Sequence, residues 1–190
     1  MLQCKPPHNI RLITFNMLGL PAMLATADNH TLTVSLLSED KHFSGYSHPE
    51  HLAKIFGMYV AVDDIIGILH GKPTVDVLDA QCCQEGFQYR CDLMTPQGPC
   101  SLWIDPDEHT ITRYHAAPSP AMSYDILFED FRRINGSALP FRISMQNQYE
   151  RIKVTVSYSS VSFAPLDNET FHHLPRSSHI LPLDMLPQLW

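Results

Sequence analysis

Long apolar runs are missing from this chain. No stretch approaches the roughly 18 residues that a membrane-spanning helix requires. Charge is also sparse, at 17% of residues, and Asp plus Glu (20) outnumber Lys plus Arg (13). The basic residues are scattered and form no stripe, which argues against a nucleic-acid surface. Only 8 glycines are present. They build no P-loop, no dinucleotide-binding pattern and no Gly-x-Ser-x-Gly elbow, so no cofactor is expected. The five cysteines contain no CxxC spacing, which removes the zinc-knuckle and thioredoxin-like motifs. Pro6-Pro7 follow Met1 closely, and no signal peptide is visible. Leu2-Gln3-Cys4 lacks the basic start and apolar run that a lipobox would need.

What is present reads as a globular domain rich in strands. The chain has 190 residues, 44% of them hydrophobic, enough for one domain with a real core. Thr31 to Leu36 and Arg151 to Tyr158 alternate apolar and polar residues, the pattern of half-buried strands. Tyr124, Ile126 and Phe128 share one strand face, as do Phe141, Ile143 and Met145. Turn signals stand at Asp28-Asn29, Glu85-Gly86, Pro96-Gln97-Gly98, Asp105-Pro106-Asp107 and Asn135-Gly136. Their short spacing predicts antiparallel hairpins, and the missing strand–helix alternation disfavours a parallel α/β sheet.

One helical interruption spans 47–71. Ser47 with Glu50 predicts a capping box, and Pro49 suits the first turn. Leu52, Ile55 and Phe56 form a short apolar face that Gly57 ends. A second helix starts near Asp63-Asp64, carries Val62, Ile65, Ile66 and Leu69 on one face, and stops at Gly71. Set on the concave side of a curved sheet, two such helices either enclose an apolar cavity or fill that face as ordinary core.

Catalytic constellations are poor. His48 and His51 are the best metal pair among eleven histidines, but no third ligand stands at metal spacing, so no metal site is predicted. His172-His173 in a strand would point oppositely. The acidic pairs Asp63-Asp64, Asp105/Asp107 and Glu129-Asp130 suit a helix start, a turn and a solvated strand edge. Cys82 and Cys83 face opposite sides of a strand; either pairs with Cys91 or Cys100 in an oxidising compartment, or all are small buried hydrophobes. Three Asn-x-Ser/Thr triplets, at Asn29, Asn135 and Asn168, mark turns.

The anomaly is Asn16-Met17-Leu18-Gly19-Leu20-Pro21. Strand-like residues flank it, and Asn, Gly and Pro mark a reversal. A turn tip is normally polar; this one carries Met17, Leu18 and Leu20. Either it folds back into the core, or it meets a membrane, a partner or an apolar ligand.

Six short segments together resemble the LolB family of outer-membrane lipoproteins. Arg11 to Gly19 is similar to the approach to that family's protruding loop. Residues 49–58 and 64–71 are similar to its paired lid helices. Tyr124 to Phe131, Leu139-Pro140 and Arg151 to Val154 are similar to its last strands. The resemblance covers roughly 9–164 as a string of short motifs in the right order. It implies a mainly β fold with some α: a curved antiparallel sheet, an incomplete half-barrel, with two short lid helices. The domain would span 1–164, and 165–190 would be an extension that adds a last strand and a tail, docked on the sheet or disordered.

What the family does then becomes the expectation for this chain. An apolar inside would hold the acyl chains of lipoproteins or lipids received from a periplasmic carrier at the periplasmic face of the outer membrane. The family's membrane-inserting leucine falls on Leu18, flanked by Met17 and Leu20. Acyl contact falls on Leu52, Ile55, Phe56, Ile65, Ile66 and Leu69 in the lid, and on Trp103, Tyr124, Ile126, Phe128, Phe141 and Ile143 in the sheet. The family's leader, lipidated cysteine, first helix and first strands have no counterpart before residue 9, which predicts a truncated or reduced front half. Two other readings stand: a small-molecule enzyme, with Trp103, Tyr114, Tyr124 and Phe141 lining a ring-binding pocket, or a structural interaction domain.

Overall fold

A computed structural model describes residues 1–57, 59–75, 80–95, 98–119, 122–147, 152–171 and 179–189. Met58, the Pro96-Gln97 turn, Arg151, His172-His173 and Trp190 lie outside the described residues. Five strands come first: β1 (Leu2–Lys5), β2 (Asn9–Phe15), β3 (Pro21–Ala27), β4 (Thr31–Leu36) and β5 (Lys41–Tyr46). Helices α1 (Pro49–Phe56) and α2 (Val62–Leu69) follow. Then come β6 (Gln81–Glu85), β7 (Gln88–Thr95), β8 (Gly98–Asp105), β9 (Thr110–Ser119), β10 (Met122–Ile134), β11 (Ser137–Asn147) and β12 (Ile152–Ser157). Near the C-terminus lies the short β13 (Ile180–Pro182). No helix among the described residues is long and apolar enough to cross a membrane.

The fold class is mostly β with two helices, as the alternating strands and capped insertion predict. Where the sequence predicts one sheet there are two, both curved and neither closed into a barrel. The chain divides into two compact units: Met1–Ile66 with Phe163–Trp190, and Gly67–Ser162, the division falling inside α2.

The first unit holds the six-stranded sheet β1-β2-β3-β4-β5-β13. One face is apolar, with Ile10, Ala25, Ala27, Leu32, Val34 and Phe43 buried. Its other face buries polar side chains that bond to each other, His42 Nδ1 to Ser35 Oγ at 2.9 Å and Thr33 to Ser44 at 3.3 Å. All pairings are antiparallel except the last: β13 runs parallel to β5, a departure from the all-antiparallel expectation. Leu183 and Leu186 beyond it are buried. Lys54 Nζ donates to the carbonyls of Leu183 and Asp184 at 3.1 and 2.9 Å. His51 Nε2 lies 3.0 Å from Asp184 Oδ1.

That contact has a pH signature. The His51 hydrogen bond, chiefly, holds the Asp184 carboxyl below the usual carboxylate range. A folded-state value below the unfolded one of about 3.9 stabilises fully above that pH, and the effect fades as pH falls through the lower value. Hydrogen-exchange protection at 183–186, corrected for the intrinsic rate at each pH, is therefore expected to fall below about pH 4. Asp184→Asn should already be weakly protected at neutral pH and show no such step.

Helix α1 ends as the sequence indicates, with Gly57 at φ +72 and its N–H bonded to Ala53 O. Its start is corrected. The N-cap is His48, not Ser47: His48 Nδ1 accepts from Glu50 N at 3.4 Å. Pro49 occupies the first helical position, which sets the preceding residue as the extended cap.

The second unit holds the seven-stranded sheet β12-β11-β10-β9-β8-β7-β6, antiparallel throughout. The β10–β11 turn has Asn135 at φ +51 and Gly136 at φ +83, the pair of left-handed residues a tight hairpin wants. Gly71, after α2, sits at φ +67, and a Cβ there would lie 2.8 Å from Pro140 Cδ. Gly71→Ala therefore meets a left-handed backbone and a steric overlap together. An expected loss of about 2 kcal/mol or more is checkable by urea unfolding.

Candidate functional site

The β2–β3 loop is a built turn with its apolar side chains outside. Asn16 organises it: its Oδ1 accepts from Leu18 N at 2.9 Å and Leu20 N at 3.0 Å. Its backbone accepts from Gly19 N at 3.0 Å and donates to Leu20 O at 2.9 Å. Gly19, at φ +76, supplies the left-handed residue. With the backbone so bonded, the side chains are left to water: Met17 is 102% exposed, Leu18 83% and Leu20 58%. The tip is not folded back.

Neighbouring apolar residues extend the patch beyond what the sequence singles out. Phe15, opposite Pro21, is exposed. So is Met1, whose carbonyl accepts from Ile13 N. Leu37, exposed as well, is bonded through its N–H to Ala22 O. The β2–β3 and β4–β5 turns thus emerge at one end of the first unit's sheet. Sequence reading misses this because it depends on strand register.

The helix residues assigned to acyl contact are largely packed. Leu52, Ile65, Ile66 and Leu69 are buried, while Ile55 and Phe56 are half-buried. In the second unit, Tyr124, Ile126, Phe128 and Ile143 are buried on one sheet face, where Phe128 opposes Ile143; Phe141 is buried two residues before Ile143.

Trp103 does not join them. It opposes Arg90 and Arg113, and Arg113 opposes Leu127, which puts Trp103 on the other face. Leu102 beside it takes the inner face, opposite Tyr114, because strand neighbours point oppositely. The same alternation dissolves the ring-binding pocket, since Trp103 and Tyr114 cannot line one side together. On the outer face the Trp103 indole lies 4.5 Å from the Arg113 guanidinium and 5.4 Å from that of Arg90. Its Nε1 donates to Glu85 Oε2 at 3.3 Å. Arg113 forms a two-pronged pair with Asp125 at 2.7 and 2.6 Å. A groove of about 450 Å³ lies there, with Glu85, Arg113 and Glu129 in its wall. Charged groups set into it make it unsuited to an acyl chain.

Cys82 forms a disulfide with Cys91, one of the pairings the cysteine spacing leaves open. Cys83 is exposed, Cys4 half-buried and Cys100 buried. His48 and His51 are engaged as helix cap and Asp184 partner. Among the described residues no three His, Cys, Asp or Glu side chains are grouped to hold a metal.

No family model and no curated protein matches the sequence. Solved structures do match by shape. A LolA superfamily protein from Nitrosomonas europaea aligns at TM-score 0.62 and 16% identity, over 90% of this chain and 80% of that one. A domain assigned to outer-membrane lipoprotein sorting, from Vibrio parahaemolyticus, aligns at TM-score 0.59 and 8% identity, over 90% and 78%. At such identities the likeness is one of fold alone: this chain shares the architecture of those two structures.

Proposed function

We propose that this chain is a lipid- or lipoprotein-binding module of the bacterial envelope, LolB-like in action, that holds acyl chains and touches the membrane in passing. The carrying observation is the β2–β3 tip: a turn rigidly bonded through Asn16 that holds Met17, Leu18 and Leu20 in water. Exposing that much apolar surface on an ordered loop costs solubility and calls for an apolar surface to receive it. The architecture supports the reading, since one protein that shares it is assigned to lipoprotein sorting.

Acyl contact is assigned to Leu52, Ile55, Phe56, Ile65, Ile66 and Leu69 on the helices, and to Tyr124, Ile126, Phe128, Phe141 and Ile143 on the inner sheet face. Each methylene withdrawn from water contributes roughly 0.8 kcal/mol, so a long chain needs no polar anchor. The Cys82–Cys91 disulfide supports an oxidising compartment, in keeping with the periplasmic face of the outer membrane. A periplasmic lipoprotein carrier would be the donor. The role is carriage rather than catalysis.

Delipidated, folded protein should bind a fluorescent long-chain fatty acid and retain acyl species in native mass spectrometry. Failure of a folded sample to bind would leave a structural interaction domain as the better reading.

A further inference from the structure

Strand β6 is the edge strand of the seven-stranded sheet. All five of its residues are exposed, and among the described residues none pairs with that edge. Which backbone groups face outward follows from the hairpin. Glu85 opposes Gln88 across the two-residue loop Gly86-Phe87, with Gly86 at φ +64. The closing pair of such a loop is hydrogen-bonded, and pairs alternate from there. Glu85, Cys83 and Gln81 therefore bond to β7, whereas Gln84 and Cys82 turn their N–H and C=O away from it. The Cα–Cα distance of 4.0 Å at Cys82–Cys91 agrees, because non-hydrogen-bonded pairs are the close ones, about 4.5 Å against 5.5 Å.

We propose that β6 pairs antiparallel with β6 of a second copy of this chain, about a two-fold axis at Cys83, joining two sheets into one. Only Cys82 and Gln84 can bond outward, so self-pairing must oppose 82 with 84, 82 with 82, or 84 with 84. The first register alone engages the whole strand; the others strand one end. In it, Cys82 and Gln84 exchange backbone bonds with the second copy's Gln84 and Cys82. Gln81 opposes Glu85, so an amide donates to a carboxylate and the two Glu85 charges stay apart. Cys83 opposes Cys83 as a non-hydrogen-bonded pair, the class this chain already bridges at Cys82–Cys91, with a Cα separation inside disulfide range. This self-complementarity is what selects a second copy over a foreign strand. A two-fold contact also uses up the edge, so assembly stops at the dimer.

The pair can then be locked by a disulfide oxidant such as oxidised glutathione. One Cys83 thiolate attacks the oxidant's S–S bond, forming a mixed disulfide and releasing one glutathione thiolate. The second copy's Cys83 thiolate attacks that Cys83 sulfur and expels the other. Two thiols lose two protons and two electrons, and the oxidant gains both as two thiols. Burial pushes the Cys4 thiol up to about 12 and raises that of Cys100, which leaves Cys83 the reactive one.

Light scattering on the full chain in reducing buffer should give twice the monomer mass. Oxidised glutathione should then yield a covalent dimer whose peptide map links Cys83 to Cys83. Cys83→Ser should keep the reduced dimer and lose the covalent one. Gln84→Pro deletes an outward N–H without touching the β6–β7 ladder, and Cys83→Lys sets like charges across the axis. With circular dichroism and melting unchanged, each should be monomeric, and Gln84→Pro should cut the crosslink yield roughly tenfold or more as pre-alignment is lost. A wild-type chain that stays monomeric, a dimer that survives both substitutions, or a crosslink through Cys4 or Cys100 overturns the proposal.

Discussion

Liposome association falls roughly ten- to hundredfold when Leu18 is replaced by glutamate, because burying such a side chain is worth about 1.5–3 kcal/mol. Melting should be unchanged, since Leu18 is exposed and its neighbours are held through backbone groups and Asn16. Fatty-acid binding should be unchanged too, which separates membrane contact from ligand binding. Asn16→Ala tests the scaffold instead: Leu18 N and Leu20 N lose their acceptor, the tip loosens, and association should weaken by a smaller factor with every apolar side chain still present. The magnitudes suit a carrier. A few side chains of this size give contact that forms and breaks readily, well short of an anchor. A melting temperature lowered by Leu18→Glu with association intact would mean that the tip serves packing.

The second large effect is at Ile143. It is fully buried between strands, opposite Phe128 on β10 and Val156 on β12. Ile143→Ala should cost about 2–5 kcal/mol, the transfer loss plus the cavity left behind. A domain holds only about 5–15 kcal/mol in total, so the urea midpoint should drop sharply. Ser144→Ala, one residue along on the opposite face, should be within about 0.5 kcal/mol of neutral. Equal costs at the two positions would contradict the register of β11.

That contrast also shows what the sequence discloses. Strand β4 coincides with the alternating run 31–36, and Gly57 ends α1, because both follow from patterns a few residues long. The exposed tip was half legible: composition marks it as unusual, but only the Asn16 bonds exclude its folding inward. Met1, Phe15 and Leu37 carry no mark of their own, since pairing between strands is what brings them to the tip's end of the sheet. His48 displaced Ser47 as cap for a local reason, the constraint that Pro49 places on its predecessor. Trp103 faces outward, and the signal for it is in the sequence: Leu102 and Trp103 are adjacent in a strand and cannot both face inward. The parallel pairing of β13 with β5 was illegible, because three residues near one end of the chain say nothing about a partner in its first quarter.

The insertion of one unit within the other sets an order of events during synthesis. Gly67–Ser162 is continuous, so every strand of its sheet is available once residue 157 has left the ribosome. The first unit emerges earlier yet finishes later. Its β5 edge stays open, and Lys54 and His51 lack their partners, until Leu183 and Asp184 arrive. Such distant closure is slow, and an exposed edge in the interval is a hazard that chaperones exist to cover. The unit that begins to form earlier is the one completed later.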